Sequence, residues 1–199
     1  RPLLLRERIT LKKLIIKTAA ITFAAIIAFG AFLFGGLALF APATLARLSE
    51  NFGNDSAAAG FYINQYNKTG AREDLYNVCR TINEHDRPRD AAFYFKKYFE
   101  DGAPEEENKK SFAGRYVVAL FICEGVDEAA DKARSFAVKN YTEYDAFNWL
   151  LTDRRVTFVK SDLERIKSAI TSVGVYGAEK KYADADIKTA DELIAALGN

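Results

Sequence analysis

Apolar residues form one long uninterrupted block near the start of the chain and recur at helical spacing after it. The block runs from residue 18 to residue 41 and contains no charged residue. At about 1.5 Å per residue it makes a helix of roughly 36 Å, enough to cross a hydrocarbon core of about 30 Å. The pattern therefore predicts a transmembrane helix at 18–41.

Two other structures contain apolar blocks, and the length and uniformity of this one argue against both. A buried helix of a soluble protein has a polar face, which this block lacks. A cleavable signal peptide has an apolar region of only about 7–15 residues, although the small residues in "APA" at 41–43 and "TLA" at 44–46 resemble cleavage sites. An uncleaved anchor is the interpretation that we adopt.

The charges on either side of the block predict how the helix crosses the membrane. Residues 1–17 carry six Lys and Arg side chains and one acidic residue, Glu7, whereas Arg47 is the only basic residue in 42–61. Lys and Arg are retained on the cytoplasmic side. We therefore expect a single-pass protein of the cell membrane, with a cytoplasmic N-terminus and an extracytoplasmic C-terminal domain.

The net charge of the chain conceals an asymmetry between its two ends. The total is +1, residues 1–17 contribute +5 and residues 18–41 contribute none, so residues 42–199 carry −4. The basic segment is expected to set the topology and to lie against the lipid bilayer. A nucleic-acid-binding domain needs a basic surface, so the acidic outer domain argues against a nucleic-acid partner.

After the apolar block, intervals of three and four residues between apolar positions predict helices. Gly53 and Gly70 are expected to end two of them, and Pro88 suits the first turn of another. The six expected helices lie in 42–54, 55–70, 72–86, 87–102, 105–125 and 126–140. We therefore expect an all-α fold, in which an antiparallel helix-hairpin array follows the transmembrane helix.

The helical signal weakens in residues 139–199, which we interpret as a degenerate helical region. Helices are expected in "TEYDAFNWLL", "SDLERIKSAITSV" and "TADELIAALG". The last two begin with Ser161 and Thr189, each followed three residues later by Glu, as in a capping box. Short β-prone runs at 156–159 and 173–176 leave a small strand pair open, and "EKKYADADIK" is expected to be a loop.

The helix pairs repeat one pattern with a period of 33 residues. Leu45, Ala46, Gly53, Ala58 and Tyr62 correspond to Val78, Cys79, Asp86, Ala91 and Phe95, and a third copy contains Val117, Val118, Phe121, Gly125 and Ala130. This order of a large–small pair, a turn residue and a small residue resembles the tetratricopeptide family over residues 42–138. The third copy follows an insertion at 103–109, and where the family has an aromatic residue in the first helix, the second and third copies have Leu75 and Gly114.

The resemblance implies a stack of hairpins with a concave face lined by the first helix of each pair. On that face it places Arg47, Asn51, Tyr76, Asn77, Arg80, Asn83, Arg115 and Tyr116. Amides suit the backbone of an extended peptide and arginines suit its carboxylates, whereas an ordinary solvated helix face explains the same residues without any ligand. The leading expectation for function is a scaffold that binds a protein or peptide partner.

A second hypothesis, of a different class, comes from the apolar block. Ala24, Ala28, Ala31, Gly35 and Ala38 are spaced by four, three, four and three residues, which places them on one seam of the helix. Small residues let transmembrane helices approach closely. On this hypothesis the protein is a structural or accessory subunit of a membrane protein complex, held mainly by its transmembrane helix.

The remaining candidate chemistry is sparse, so we expect no enzymatic activity, no cofactor and no bound metal. His85 is the only histidine, and it is expected on the surface of the turn "NEHDRP". Cys79 and Cys123 form no CxxC motif and are expected to be unpaired core thiols, although a disulfide between them stays open. Asp184 and Asp186 lack the further ligands of a calcium loop.

Overall fold

The computed structural model describes the backbone of residues 2–102 and 106–198, and side chains from residue 16 onward apart from 103–107 and 199. Most of the basic segment 1–17 and part of the insertion at 103–109 thus lie outside the described side chains. The described residues form ten α-helices and no strand, which confirms the all-α fold class. The helices are α1 (Pro2–Phe40), α2 (Pro42–Asn51), α3 (Asp55–Thr69), α4 (Arg72–Thr81), α5 (Pro88–Glu100), α6 (Glu106–Cys123), α7 (Val126–Tyr144), α8 (Ala146–Thr152), α9 (Lys160–Ser172) and α10 (Ala178–Leu197).

Helix α1 contains the apolar block. Its segment Ile16–Phe40 is the one described helical stretch that is long and apolar enough to cross a membrane, and none of it is fully buried by the rest of the protein. The helix ends because Ala41 leaves the helical conformation, with φ −140° and ψ 58°. Pro42 then starts α2 at a position where the missing N–H costs no hydrogen bond.

Helices α2 to α7 form a linear array in which each helix packs against the next. The residues that repeat in the sequence form the contacts between them. Buried members of the three copies are Leu45, Ala46, Ala58, Tyr62, Val78, Cys79, Ala91, Phe95, Val117, Val118 and Ala130. The turn positions Gly53 and Asp86 are exposed, as expected for the connections within two of the pairs.

The last three helices close one end of the array. Helix α8 packs on α6 and α7, α9 packs on α7, and α10 lies across α7, α8 and α9. One hydrophobic core extends from Ala46 to Ala190 without a break. Residues on both sides of the predicted boundary at 138/139 therefore share this core, and α7 runs across that boundary.

Two expectations for the C-terminal region were wrong, and the strand pair that was left open there does not form. The segment "EKKYADADIK" is helical and belongs to α10, because Ala183, Asp186 and Ala190 form an inward face at helical spacing. Thr189 is therefore not a cap but lies inside α10, where its hydroxyl donates to the Ala185 carbonyl at 3.0 Å. The runs at 156–159 and 173–176 are connections between helices and form no strand pair.

The start of α9 also differs from the expected capping box. The helix begins at Lys160, and the side chain of Asp162 accepts a hydrogen bond from the Val159 N–H at 3.0 Å. Ser161 therefore lies within the first turn instead of preceding it. The expected cap fails because Asp162 satisfies the free amide from inside the helix.

Candidate functional site

The eight residues predicted to line a concave groove do not share one open surface. Arg47, Asn51 and Arg80 are exposed, Tyr76, Asn77, Asn83 and Arg115 are half-buried, and Tyr116 is buried at 3% exposure. Tyr76 packs its ring against Tyr98 and Phe112, with centroids 6.3 and 5.8 Å away. The Asn83 side chain is engaged within its own turn, where it accepts from the His85 N–H at 3.0 Å.

Arg115 is a structural residue in this fold. Its Nε donates to Glu84 at 2.8 Å and its Nη1 donates to the Cys79 carbonyl at 2.9 Å, while Nη2 donates to the Ile82 carbonyl. The guanidinium thereby joins α6 to the carbonyl end of α4, where a positive charge is favourable. These donors are therefore engaged within the fold and are not directed at a ligand carboxylate.

Arg80 takes part in a network that joins the first two helix pairs. It forms an ion pair with Glu50 at 2.5 Å, and Glu50 also accepts from the Tyr62 hydroxyl at 2.8 Å. Burial and the neighbouring Glu50 carboxylate raise the pKa of Tyr62. Arg47 and Asn51 lie outside this network, on the exposed face of α2.

His85 was wrongly expected to lie on the surface. Its side chain is only 11% exposed because the α8–α9 connection covers it, and its Nε2 lies 2.8 Å from Oδ2 of Asp153. Glu84, His85 and Asp153 each offer one ligand atom, all within 4.8 Å of one another, a donor set that zinc accepts. Arg115 already neutralises Glu84, and His85 and Asp153 are hydrogen-bonded to each other, so the polar groups of the cluster have partners within the fold.

A cleft of roughly 700 Å³ lies between α5 and α7 and has α6 as its floor. It opens between the second helices of two pairs, away from the face that the first helices were expected to form. Each helix contributes one stripe at helical spacing. The stripes are Arg89, Ala92, Phe93 and Lys96 from α5; Tyr116, Leu120, Cys123 and Glu124 from α6 and its end; and Glu128, Asp131, Lys132 and Ser135 from α7.

The floor of this cleft is apolar, and one aromatic side chain at its wall is half exposed, with the Lys97 ammonium 4.8 Å from its ring centre. Ala92, Tyr116 and Leu120 are buried, whereas Phe93 on α5 is 51% exposed. The Phe93 ring packs edge-to-face on Tyr94 at 5.0 Å, which fixes its orientation. An exposed, oriented aromatic beside an apolar floor is the usual composition of a protein or peptide contact.

Opposite charges occupy the two edges of the cleft. The α5 edge carries Arg89 and Lys96, and the other edge carries Glu124, Glu128 and Asp131 together with Lys132, so the lining residues still differ in sign across the cleft. Lys96 also pairs with Glu100 at 3.9 Å, and Asp131 pairs with Arg134 at 3.0 Å. The cleft therefore has an electric polarity across its width, in addition to its apolar floor. Such an arrangement selects the orientation of a charged ligand more than it increases affinity.

Burial controls the protonation of the groups beneath the two edges. The Lys132 ammonium lies 5.2 Å from the ring centre of Tyr116 and 5.7 Å from that of Phe136, and burial lowers its pKa. Burial, and then nearby carboxylates, raise the pKa of Tyr116 to about 12. Burial likewise raises the pKa of Cys123, so its thiol stays protonated and is a poor nucleophile.

The described part of the cleft pairs no nucleophile with a general base. The Ser135 hydroxyl donates to the Lys132 carbonyl at 2.7 Å, and the cleft contains no histidine among its lining residues. Both cysteines are free thiols, as expected, with Cys79 buried and Cys123 half-buried. The cleft offers a ligand apolar contacts, hydrogen-bonding groups and charged side chains, all of which contribute to binding.

The expected transmembrane seam is divided in two by the fold. Ala24, Ala28 and Ala31 are exposed, whereas Gly35 and Ala38 are half-buried because α3 packs there.

The cleft was missed in the sequence even though Arg89, Phe93 and Lys96 show helical spacing, since nothing local indicates that α6 forms a floor beneath them. No protein-family model, curated protein or solved structure matches this chain.

Proposed function

We propose that this protein is a membrane-anchored, helical-repeat scaffold that binds a peptide segment of a partner protein in the α5–α6–α7 cleft. The observation that carries the proposal is exposed Phe93 beside a buried apolar floor, between a basic and an acidic edge. An apolar side chain of the peptide would rest on Tyr116 and Leu120. Acidic residues of the peptide would face the α5 edge and basic residues the α7 edge.

The anchor in this proposal is the segment Ile16–Phe40, retained in the mature protein. Support comes from α3, whose Asn64 side chain donates to the Ala38 carbonyl at 3.3 Å, and whose Lys68 ammonium donates to the Leu39 carbonyl. These side chains satisfy carbonyls that the end of a helix leaves unpaired. The surplus of Lys and Arg before residue 18 favours a cytoplasmic N-terminus and an extracytoplasmic array.

Burial of the repeated positions supports an array similar to that of the tetratricopeptide family. The ligand face would nevertheless differ from the one that the resemblance implies. It would lie between the second helices α5 and α7, since Arg115 is engaged within the fold, and Tyr116 would contribute to the floor of the cleft. Arg47 and Asn51, at the other end of the array, would not touch the peptide.

The test is selection of binding peptides on the full-length protein in lipid nanodiscs. We expect random-peptide libraries to yield sequences with an apolar residue flanked by charges, and a synthetic copy to bind measurably by fluorescence anisotropy. Phe93→Ala should lower the affinity for this peptide about 10-fold, since one well-placed aromatic contact contributes on the order of 1–2 kcal/mol. Arg89→Glu with Lys96→Glu should lower affinity for peptides with acidic flanks.

Tyr182→Ala is the matched control, because Tyr182 is an aromatic residue of similar exposure, 54% against 51% for Phe93, outside the cleft. It should leave peptide binding and the melting temperature unchanged. Failure to select any peptide, or equal binding by the Phe93→Ala and Tyr182→Ala variants, would reject the cleft as the binding site.

Exposure of Ala24, Ala28 and Ala31 supports the alternative function, a subunit held in a membrane complex through α1. On this alternative, Ala28→Leu with Ala31→Leu abolishes co-purification of partner subunits in mild detergent. Ile26→Ala with Leu33→Ala, on the opposite face of the helix, has no such effect. Equal co-purification in both double variants would reject a contact between the seam and another subunit.

A further inference from the structure

The two walls of the α5–α6–α7 cleft are helices that run in the same direction. Phe95 of α5 stacks on Tyr116 of α6, with ring centres 6.2 Å apart. Tyr98, one turn later on α5, meets Phe112, one turn earlier on α6, at 5.4 Å, so α6 runs antiparallel to α5. Helix α7 follows α6 after a short connection and packs along it, so it runs parallel to α5.

The cleft is closed at one end and open at the other. Its lining stops at Lys96 on α5 and Ser135 on α7. Just beyond them the Phe99 and Phe136 rings of the two walls touch, with centres 4.8 Å apart, and we call this the closed end. The open end lies where α5 begins and α6 ends, near Arg89. Between Arg89 and Lys96 the cleft is about two helical turns, or roughly 10 Å, long.

The closed end is positively charged. Burial, followed by the charges of Lys139 and Lys96, lowers the pKa of Lys132, so the three ammonium groups lie near one another. Glu100 offsets one of these charges, since it pairs with Lys96 at 3.9 Å. The Lys132 ammonium lies over aromatic rings, and none of the ion pairs among the described residues includes it. Lysine charge therefore remains available to a ligand at this end.

The open end has the opposite sign. There Glu124 and Glu128 outnumber Arg89 among the lining residues. Asp131, between the two ends, is neutralised by Arg134 at 3.0 Å. The charge of the cleft thus changes sign along its length as well as across its width.

An α-helix has a polarity that matches this gradient. Its last four carbonyls are unpaired and its C-terminus carries a partial negative charge, whereas its N-terminus carries a partial positive charge. A lysine already binds such a carbonyl in this chain, where Lys68 of α3 donates to Leu39 at the end of α1. The closed end offers three lysines at the point where a helix lying in the cleft has to stop. A helix that ends there also runs antiparallel to α6 beneath it, as neighbouring helices of the array do.

We propose that the ligand of the cleft is an amphipathic α-helix of a partner protein, with its C-terminus at the closed end and its N-terminus at the open end. Its apolar face rests on Tyr116 and Leu120 beside Phe93. Acidic side chains of its last turn meet the three lysines, and basic side chains of its first turn meet the two glutamates. This inference rests on the proposed function and adds the secondary structure, charge order and direction of the ligand.

The test uses the full-length protein in lipid nanodiscs and three synthetic peptides with blocked termini. Two are helices of about three turns, fixed by hydrocarbon staples, with the same leucine stripe and opposite charge order. The first has lysines in its first turn and glutamates in its last turn, and the second has the reverse. The third repeats the first sequence without a staple and with central D-amino acids that prevent a helix. Circular dichroism checks the helicity of each peptide, and fluorescence anisotropy measures its affinity.

We expect the peptide with glutamates in its last turn to bind about 5-fold more tightly than the charge-reversed peptide. The reversed peptide can match the side-chain charges only by turning round, which places its N-terminal N–H groups against the lysines. The non-helical peptide should bind most weakly. Lys96→Glu with Lys139→Glu should abolish or reverse the preference between the stapled peptides.

Lys160→Glu with Lys188→Glu, on exposed faces of α9 and α10, is the matched control and should leave the preference unchanged. Each of the four lysines precedes a glutamate by four positions, so both double variants change the same local charge pattern. A preference that survives Lys96→Glu with Lys139→Glu would overturn the assigned direction.

Equal affinity of the two stapled peptides, or tighter binding of the charge-reversed one, would also overturn the direction. Tighter binding of the non-helical peptide would overturn the helical ligand. If the stapled peptides fail to bind while library-selected peptides bind in a manner that depends on Phe93, the cleft stands and the inference falls. If Phe93→Ala changes the binding of no peptide, the cleft itself is rejected, and the inference with it.

Discussion

The indole ring of Trp149 in α8 lies directly over the Cα atom of Gly114 in α6. A Cβ atom placed on residue 114 would overlap the ring, so α8 reaches α6 only because this residue is glycine. Residue 114 is also where the resemblance to the tetratricopeptide family leads one to expect an aromatic residue. Here the aromatic group comes from another helix, which joins the C-terminal region to the array.

Gly114→Ala should therefore destabilise the protein. Overpacking a tight core costs about 1–3 kcal/mol, which exceeds the gain of up to about 1 kcal/mol from replacing glycine in a helix. Chemical denaturation followed by circular dichroism measures the change in the free energy of unfolding. The same substitution in a Trp149→Gly background, which also removes the Trp149 Cβ atom 2.6 Å from the added methyl group, should be neutral or stabilising, and an equal loss in both backgrounds would contradict the explanation.

The ion pair of Arg115 and Glu84 gives a second prediction. Arg115→Met should lower the free energy of unfolding by about 3–5 kcal/mol, because Glu84 is then a buried charge without a partner. Adding Glu84→Met should recover part of that loss, since the uncompensated charge is gone. A double variant no more stable than Arg115→Met would show that the carbonyl contacts of Arg115, and not its charge, stabilise the fold.

The helices of the array were predictable because their signals are local. Apolar spacing placed α2 to α7, and the expected end at residue 140 coincides with a break at Asn140, whose φ and ψ are −166° and 110°. The side chain of Asn140 accepts from the Glu143 N–H at 2.9 Å and so begins a separate turn.

The contacts that the sequence did not reveal join residues far apart in the chain. His85 meets Asp153 across 68 positions, and the Tyr141 hydroxyl donates to Asp186 at 2.7 Å across 45. From the local sequence "ADAD" alone, Asp186 resembles a loop residue. In the fold it accepts the hydrogen bond from Tyr141 and lies on the buried face of α10. The cleft could not be predicted for the same reason, because its lining residues form one surface only after three separate helices have packed together.

The buried Asp186 makes stability depend on pH. Burial is the main cause that raises its pKa from 3.8 to about 6, with Asp145 adding to the effect and Tyr141 opposing it. Because the folded pKa lies above the unfolded value, this carboxyl group favours the folded state at low pH. That contribution is lost as the pH rises from about 4 to about 6.

Asp186→Asn should therefore raise the free energy of unfolding at about pH 7.5 by up to roughly 2 kcal/mol, and change it little at about pH 4. The amide oxygen still accepts from Tyr141, so the packing is kept. Asp184→Asn, on the exposed face of the same helix, is the control and should change little at either pH. Denaturation curves at the two pH values measure these changes. An equal effect of Asp186→Asn at both pH values would contradict the raised pKa of Asp186.

A fragment of residues 42–199 should fold without the anchor. Its core extends from Ala46 to Ala190 and includes no residue of α1. Loss of the Phe34–Phe61 contact should reduce stability only by about 1 kcal/mol. Circular dichroism should show a helical protein with a cooperative melt, whereas a weakly helical or aggregated product would favour the membrane-subunit alternative.

The topology of the chain gives the last prediction. Six basic residues before the apolar block should hold residues 1–17 in the cytoplasm. In a chain with Cys79→Ala and Cys123→Ala, an impermeant thiol reagent on intact cells should label Tyr176→Cys. Arg6→Cys should react only after the membrane is permeabilised. Labelling of Arg6→Cys but not Tyr176→Cys on intact cells would invert the topology and place the array in the cytoplasm. Replacing Lys12, Lys13 and Lys17 together with Gln should produce a mixture of orientations, because only three of the six basic residues before the apolar block then remain.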